Sequence, residues 1–206
     1  MLTAFTAGLL LITVSELGDK TFFIAMILAM RYPRRWVLVG VVGGLAAMTI
    51  LSVLMGQILT FLPTRYINYA EVALFLIFGT KLLWDAQRMK ATANLEEMED
   101  AEKAIASGEK KLKIVPRGWG IVVESFALTF VAEWGDRTQI ATIALAASNN
   151  AWGVSAGAIL GHTICAVIAV MGGKFVAGRI SEKTVTLIGG LLFYLFAVVS
   201  WWTKIA

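Results

Sequence analysis

Ser15-Glu16-Leu17-Gly18-Asp19-Lys20-Thr21 recurs 117 residues later as Ala132-Glu133-Trp134-Gly135-Asp136-Arg137-Thr138. At the same offset Gly40 meets Gly157, Gly44 meets Gly161, Gly56 meets Gly173 and Trp84 meets Trp201. Self-similarity at a fixed offset marks a duplicated architecture. Two halves are therefore expected, residues 1–88 and 118–206, joined by a linker over 89–117.

Both motifs lie inside long apolar stretches. A helix needs about 20 mostly apolar residues to cross a bilayer. Six stretches meet or approach that length: 2–30, 36–62, 68–87, 119–147, 152–178 and 184–203. Open loops cannot face lipid and the spacing does not suit barrel strands, so helices are expected. The stretches at 2–30 and 119–147 exceed a simple crossing, and tilt or a break near the middle would absorb the excess. Three spans per half is an odd number, so the second half should insert upside down relative to the first. The expected fold is an all-α polytopic membrane protein with six transmembrane helices as two inverted three-helix repeats, an arrangement shared by many secondary transporters.

Composition agrees. The 206 residues are 58% hydrophobic and 16% charged, with mean hydropathy +0.76, against roughly 25% charged and 45–50% apolar in soluble domains. A soluble domain and a disordered chain are both disfavoured. The single cysteine, Cys165, excludes an intrachain disulfide and a cysteine-based zinc site, and it reads as buried and inert. The first stretch has no basic residues before it and is too long for a signal-peptide core of about 7–15 residues, so it reads as the first span.

The sequence pI near 9.3 does not call for nucleic acid. Thirteen of the 18 Lys and Arg fall in the 1–2, 3–4 and 5–6 loops, and only Arg65 and Lys204 fall on the other side. Positive loops face the cytoplasm, so the linker is expected there and both termini on the lumenal or periplasmic side. Trp36, Trp84 and Trp119 would then ring one face, and Trp152, Trp201 and Trp202 the other, leaving Trp134 in mid-span. Within the linker, Asn94 with Glu97 suggests a capping box and Gly108 a helix stop, which predicts a short amphipathic helix over about 94–106 in a mainly solvated segment.

The motifs carry the chemistry. A carboxylate at mid-membrane costs at least about 2.5–3.5 kcal/mol on insertion scales, so four placed by chance are improbable. Glu and Asp three apart would share a helix face. The repeat would bring Glu16, Asp19, Glu133 and Asp136 together as a hard-oxygen site suited to Ca²⁺ or Mn²⁺ rather than soft metals. Lys20 and Arg137 reduce the site's charge to that of two anions, matching one divalent cation or two protons. Gly18 and Gly135 allow close helix approach or a local break, and Thr21 and Thr138 can add hydroxyl oxygens. A plainer reading pairs Glu16 with Lys20 and Glu133 with Arg137 along each helix, only to make the helices insertable. It would occur twice by coincidence and would leave both Asp residues without a partner.

Other polar residues give weaker signals. His162 reads as a relay group, an extra ligand or a packed histidine, and Gln139 as a pathway residue on one side only. Glu124, Ser15, Thr129, Gln57 and Asn149 are vestibule candidates. The glycines of the second and fifth spans suit close packing.

The doubled Glu-x-Gly-Asp-Lys/Arg-Thr motif resembles that of the small cation exchangers that include the Golgi manganese/calcium transporter, the chloroplast thylakoid manganese transporter and bacterial manganese exporters. The resemblance spans essentially the whole chain, and the compact linker is similar to that of cyanobacterial members. It implies export of Mn²⁺, or Ca²⁺, from the cytoplasm coupled to proton uptake, in a thylakoid or bacterial plasma membrane. It also implies cation binding at Glu16, Asp19, Glu133 and Asp136, and carries no role onto Gln139 or His162. The expected partners are the transported cation, protons and the bilayer, with a second copy of the chain as a candidate. No resident cofactor is expected. Export of an organic solute such as a basic amino acid is the competing transporter reading. An intramembrane aspartyl protease fits poorly, because each Asp has a Glu three residues before it and a basic residue directly after.

Overall fold

The computed structural model describes residues 1–89, 95–112, 118–177 and 182–206, and these fold as helices and short connections. The helices are α1 (Leu2–Glu16), α2 (Lys20–Arg31), α3 (Arg34–Leu59), α4 (Thr64–Arg88), α5 (Leu95–Leu112), α6 (Trp119–Ala132), α7 (Arg137–Ser148), α8 (Ala151–Ala177) and α9 (Glu182–Lys204). Four of them, α3, α4, α8 and α9, are long and apolar enough to cross a membrane. Two of them expose large apolar side chains outward, Val39, Leu54 and Ile58 on α3 and Leu191, Leu195 and Val198 on α9, a kind of surface that water disfavours.

The two overlong stretches are broken rather than tilted. Each divides into a short apolar helix, α1 or α6, and a second 12-residue helix, α2 or α7. At a rise of 1.5 Å per residue none of the four reaches across about 30 Å of hydrocarbon alone. Helix α2 lies deep in the bundle: every residue from Thr21 to Leu28 is buried. A helix apolar all round must be covered on all sides, and α3, α5, α6 and α8 supply that cover.

Residues 117 apart make matching contacts. A Cβ on Gly44 would lie 2.8 Å from the carbonyl oxygen of Phe126, and one on Gly161 would lie 3.1 Å from that of Leu9. Gly40 faces the carbonyl of Val122 as Gly157 faces that of Phe5. Small residues let α3 pack on α6, and α8 on α1, backbone to backbone. Helix α2 also packs on α8 as α7 packs on α3. Helices α4 and α9 form an antiparallel pair, with Tyr69 beside Trp201, Phe75 beside Phe196 and Thr80 bonded to Tyr194.

The linker helix differs from expectation. It runs to Leu112, straight through Gly108, so that glycine is no stop. Its lack of a side chain lets α5 lie against Leu128 of α6. Asn94 and the side chain of Glu97 lie outside the described residues. Ala101 and Ile105 are fully buried against α2 and α6, so one face of the helix is docked rather than solvated. On the exposed face Lys103 lies 2.8 Å from Glu99 and 3.5 Å from Asp100. The Glu99 bond raises the lysine pKa, but so exposed a pair adds little stability.

Candidate functional site

The site is built at the two breaks. Gly18 has φ 80° and Gly135 φ 82°, left-handed conformations that cost glycine nothing and other residues dearly. Each glycine ends one helix and lets the next start at an aspartate. Asp19 and Asp136 are the N-caps of α2 and α7, where a carboxylate is favoured by the unpaired amides and the helix dipole. Asp136 takes up that role, accepting from the Thr138 amide at 3.5 Å. Asp19 makes no such bond; Arg137 of the other half donates to its Oδ1 at 2.9 Å.

The glutamates close the preceding helices. Thr21 donates to Glu16 Oε2 at 3.0 Å, and Thr138 donates to Glu133 Oε2 at 3.2 Å. Both glutamates are 2% exposed, and the second oxygen of each, Oε1, has no hydrogen-bond partner. A buried carboxylate oxygen without a partner is costly, so each glutamate keeps one oxygen whose bonding need the protein leaves unmet. Thr138 adds a second unmet need. Its hydroxyl also lies 3.1 Å from Asp136 Oδ2, yet it has one proton for two acceptors. With both carboxylates ionised, a proton or a cation is needed to relieve the remaining oxygen pair.

Carboxylate oxygens of Glu16, Asp19 and Glu133 all lie within 4.8 Å of one another. Two come from the first half and one from the second. The fourth expected ligand, Asp136, falls outside that triad and is joined to it through Thr138. One sequence expectation and the plainer alternative to it both fail here. The breaks prevent Glu and Asp from sharing one helix face. They also prevent the pairing of Glu16 with Lys20 and of Glu133 with Arg137 along a helix, and the cation that reaches a carboxylate does so across the halves. Lys20 follows Asp19 directly in the chain, and it also lines a second cavity with Ser107 and Gly108 of α5 and with Val131 and Trp134.

A cavity of about 40 Å³ leads to Asp19 and Arg137. Val14, Ser15, Leu17 and Gly18 form one wall, and Leu82 and Met89 of α4 with Val185, Thr186 and Gly189 of α9 form the other. Met89, the C-cap of α4, puts it at the end of the bundle where α4 runs into the linker.

Against known proteins, the family model described as the divalent cation/proton antiporter GDT1 matches residues 4–90 and 121–206. The chain belongs to the GDT1 family of divalent cation/proton antiporters. It is 98% identical over 206 residues, all of both chains, to the GDT1-like protein sll0615 of Synechocystis. It is 48% identical to GDT1-like protein 4 of Oryza sativa subsp. indica, covering 96% of this chain and 73% of that one. It is 44% identical to the chloroplastic PAM71-homolog protein of Arabidopsis thaliana, covering 95% and 58%. No solved structure matches. The two matched segments of the GDT1 model each contain one motif and leave out the linker. The family is one of transporters that exchange a divalent cation for a proton.

In this GDT1 chain the remaining polar candidates divide. Gln139 is buried and braces the second break, accepting from the Gly135 amide at 2.7 Å and donating to Met48 Sδ at 3.2 Å. His162 is buried on α8 outside the carboxylate triad, and its Nδ1 has no hydrogen-bond partner. Ser15, Glu124 and Thr129 are buried, and Ser15 lines the cavity. Gln57 is exposed and ties α3 to α7 through the Ala146 carbonyl at 2.8 Å. Cys165 is buried, its thiol directed at the Thr13 carbonyl. Asn149 bonds to Glu71, a residue that sequence reasoning overlooked. The available signal was a carboxylate inside the stretch 68–87, a stretch that also holds Asp85 near its other end.

Proposed function

We propose that this protein exports Mn²⁺ or Ca²⁺ from the cytoplasm in exchange for protons. Glu16, Asp19, Glu133 and Asp136 supply the oxygens for the cation, and the same oxygens take protons when it leaves. The observation that carries this reading is the pair of unpartnered Oε1 atoms on Glu16 and Glu133, each fixed at its other oxygen by a motif threonine. An all-oxygen donor set favours hard cations. The cavity beside Asp19 gives that carboxylate an approach for an ion.

In the same reading α1 with α2, and α6 with α7, are two broken spans. With α3, α4, α8 and α9 they make six spans in two inverted repeats, residues 1–88 and 118–206, about the linker 89–117. The matched glycine contacts and the exchange of α3–α6 with α8–α1 packing support this. The excess of Lys and Arg in the loops of one side supports a cytoplasmic linker, with both termini in the lumen or periplasm of a thylakoid or bacterial plasma membrane.

The test is Mn²⁺ and Ca²⁺ flux in proteoliposomes with and without an imposed pH gradient. Flux should be driven by the gradient and collapse when it is dissipated. Glu16→Gln, Asp19→Asn, Glu133→Gln and Asp136→Asn should each abolish it in folded protein. Flux indifferent to the gradient would remove the exchange, and near-normal flux in two of the variants would remove the site.

A further inference from the structure

The α4/α9 pair is held unequally at its two ends. Toward the linker it stands away from α1, and Leu82, Met89, Val185, Thr186 and Gly189 form the far wall of the cavity that reaches Asp19. At the opposite end it is clamped to α7. Glu71, on α4 and fully buried, accepts from Lys204 Nζ at 2.6 Å and from Asn149 Nδ2 at 3.1 Å. Lys204 ends α9 and Asn149 is the C-cap of α7. Asn149 also donates to the Leu145 carbonyl at 2.9 Å, so its side chain is anchored in the last turn of α7.

This cluster is present at one end only. The residues 117 positions away from Glu71, Asn149 and Lys204 are Ile188, Tyr32 and Gln87, which cannot rebuild it. Packing is unequal in the same sense. Helix α4 packs on α7 and α9 packs on α1, while the exchanged contacts, α9 on α2 and α4 on α6, have no comparable packing among the described residues. The pair thus leans toward α1 and α7, closed at one end and gapped at the other. A buried ion pair gives little net stability over an apolar contact, but removing one partner is costly. A contact of that kind suits a joint with two discrete arrangements better than a permanent weld.

We propose that the α4/α9 pair is the moving gate of this exchanger and that Glu71, Asn149 and Lys204 are its latch, shut here on the side away from the linker. The inference rests on the antiporter reading, because an exchanger must never be open to both sides at once. When the latch parts, the pair swings and the gap beside Asp19 closes.

The test uses the full-length protein in proteoliposomes with Cys165→Ser. Glu71→Cys with Asn149→Cys is cross-linked by a reversible mercury bridge. Mn²⁺ binding at equilibrium should persist, Mn²⁺ flux should be lost, and a thiol reductant should restore it. Flux unchanged by a complete cross-link would make the cluster a static tether and overturn the proposal. Asn149→Cys alone, labelled by a membrane-impermeant thiol reagent, gives a second measurement if the double variant does not fold. Labelling should be faster during exchange than at rest, and equal rates would also overturn the latch. Absence of gradient-driven flux in the unsubstituted protein would instead strike the antiporter reading itself.

Discussion

Gly135 shows how one residue sets the site. A Cβ there would meet nothing within 4 Å, so any cost of substitution comes from its φ of 82° alone. Gly135→Ala should therefore lose about 1–2 kcal/mol, a fall of several degrees in thermal unfolding midpoint. Gly135→Asn should lose less, because Asn tolerates the left-handed region. Equal losses in the two variants would point to crowding instead. Thr138 is the neighbouring control. Thr138→Val removes a hydroxyl shared by two carboxylates, a bond to charge worth about 1.5–3 kcal/mol. Mn²⁺ affinity should drop at least about tenfold, with Thr138→Ser restoring most of it in the same binding assay. The residue types were legible in the sequence because a doubled cluster of intramembrane charge has few explanations. Their geometry was not. Spacing counted along an unbroken helix puts Glu16 and Asp19 on one face, and only the left-handed turn at Gly18 shows that they belong to different helices.

Among the elements, α5 departs most from its sequence reading. Its charge suggests a solvated segment, and its apolar positions, Leu95, Met98 and Ile105, mark an amphipathic helix without saying what its apolar face meets. The partner surface decides the matter: α2 is apolar on every side, and α5 closes the side that no spanning helix covers. Burying an isoleucine contributes about 1.5–3 kcal/mol. Ile105→Asp should therefore undock α5, lower the unfolding midpoint by several degrees and make the segment sensitive to protease. No residue of α5 belongs to the carboxylate triad, so Mn²⁺ binding by equilibrium dialysis should survive. Binding lost from a folded Ile105→Asp protein would show that α5 supports the site directly. The broken helices were half legible. Their excess length called for tilt or a break, and a glycine followed by a capping aspartate is the local chemistry that selects the break.

At the scale of the molecule, the two halves match in their glycine packing but not in the contacts of their motif cations. Arg137 spans the halves to Asp19, whereas its counterpart Lys20 lines a cavity under α5 and pairs with no carboxylate within 4 Å among the described residues. Arginine's planar fork suits such a reach better than a lysine ammonium. Sequence alone gives the two residues equal standing, because a repeat reports ancestry of position and not the arrangement adopted. The difference makes a prediction that a symmetric site would not. Arg137→Ala leaves Asp19, whose side chain is 14% exposed, without its countercharge, and removing one partner of a buried pair costs up to about 3–5 kcal/mol, reduced here because the arginine is partly open to the cavity. Mn²⁺ flux should fall to background in Arg137→Ala, and Arg137→Lys should recover only a fraction. Lys20→Ala should retain most of the flux, since its ammonium forms no salt bridge with a motif carboxylate in this arrangement and its backbone N–H beside Asp19 is kept. Parallel flux measurements on protein matched for folded yield decide the point: equal losses at the two positions would mean that both cations serve the carboxylates over the transport cycle and that the asymmetry of this arrangement has no counterpart in function.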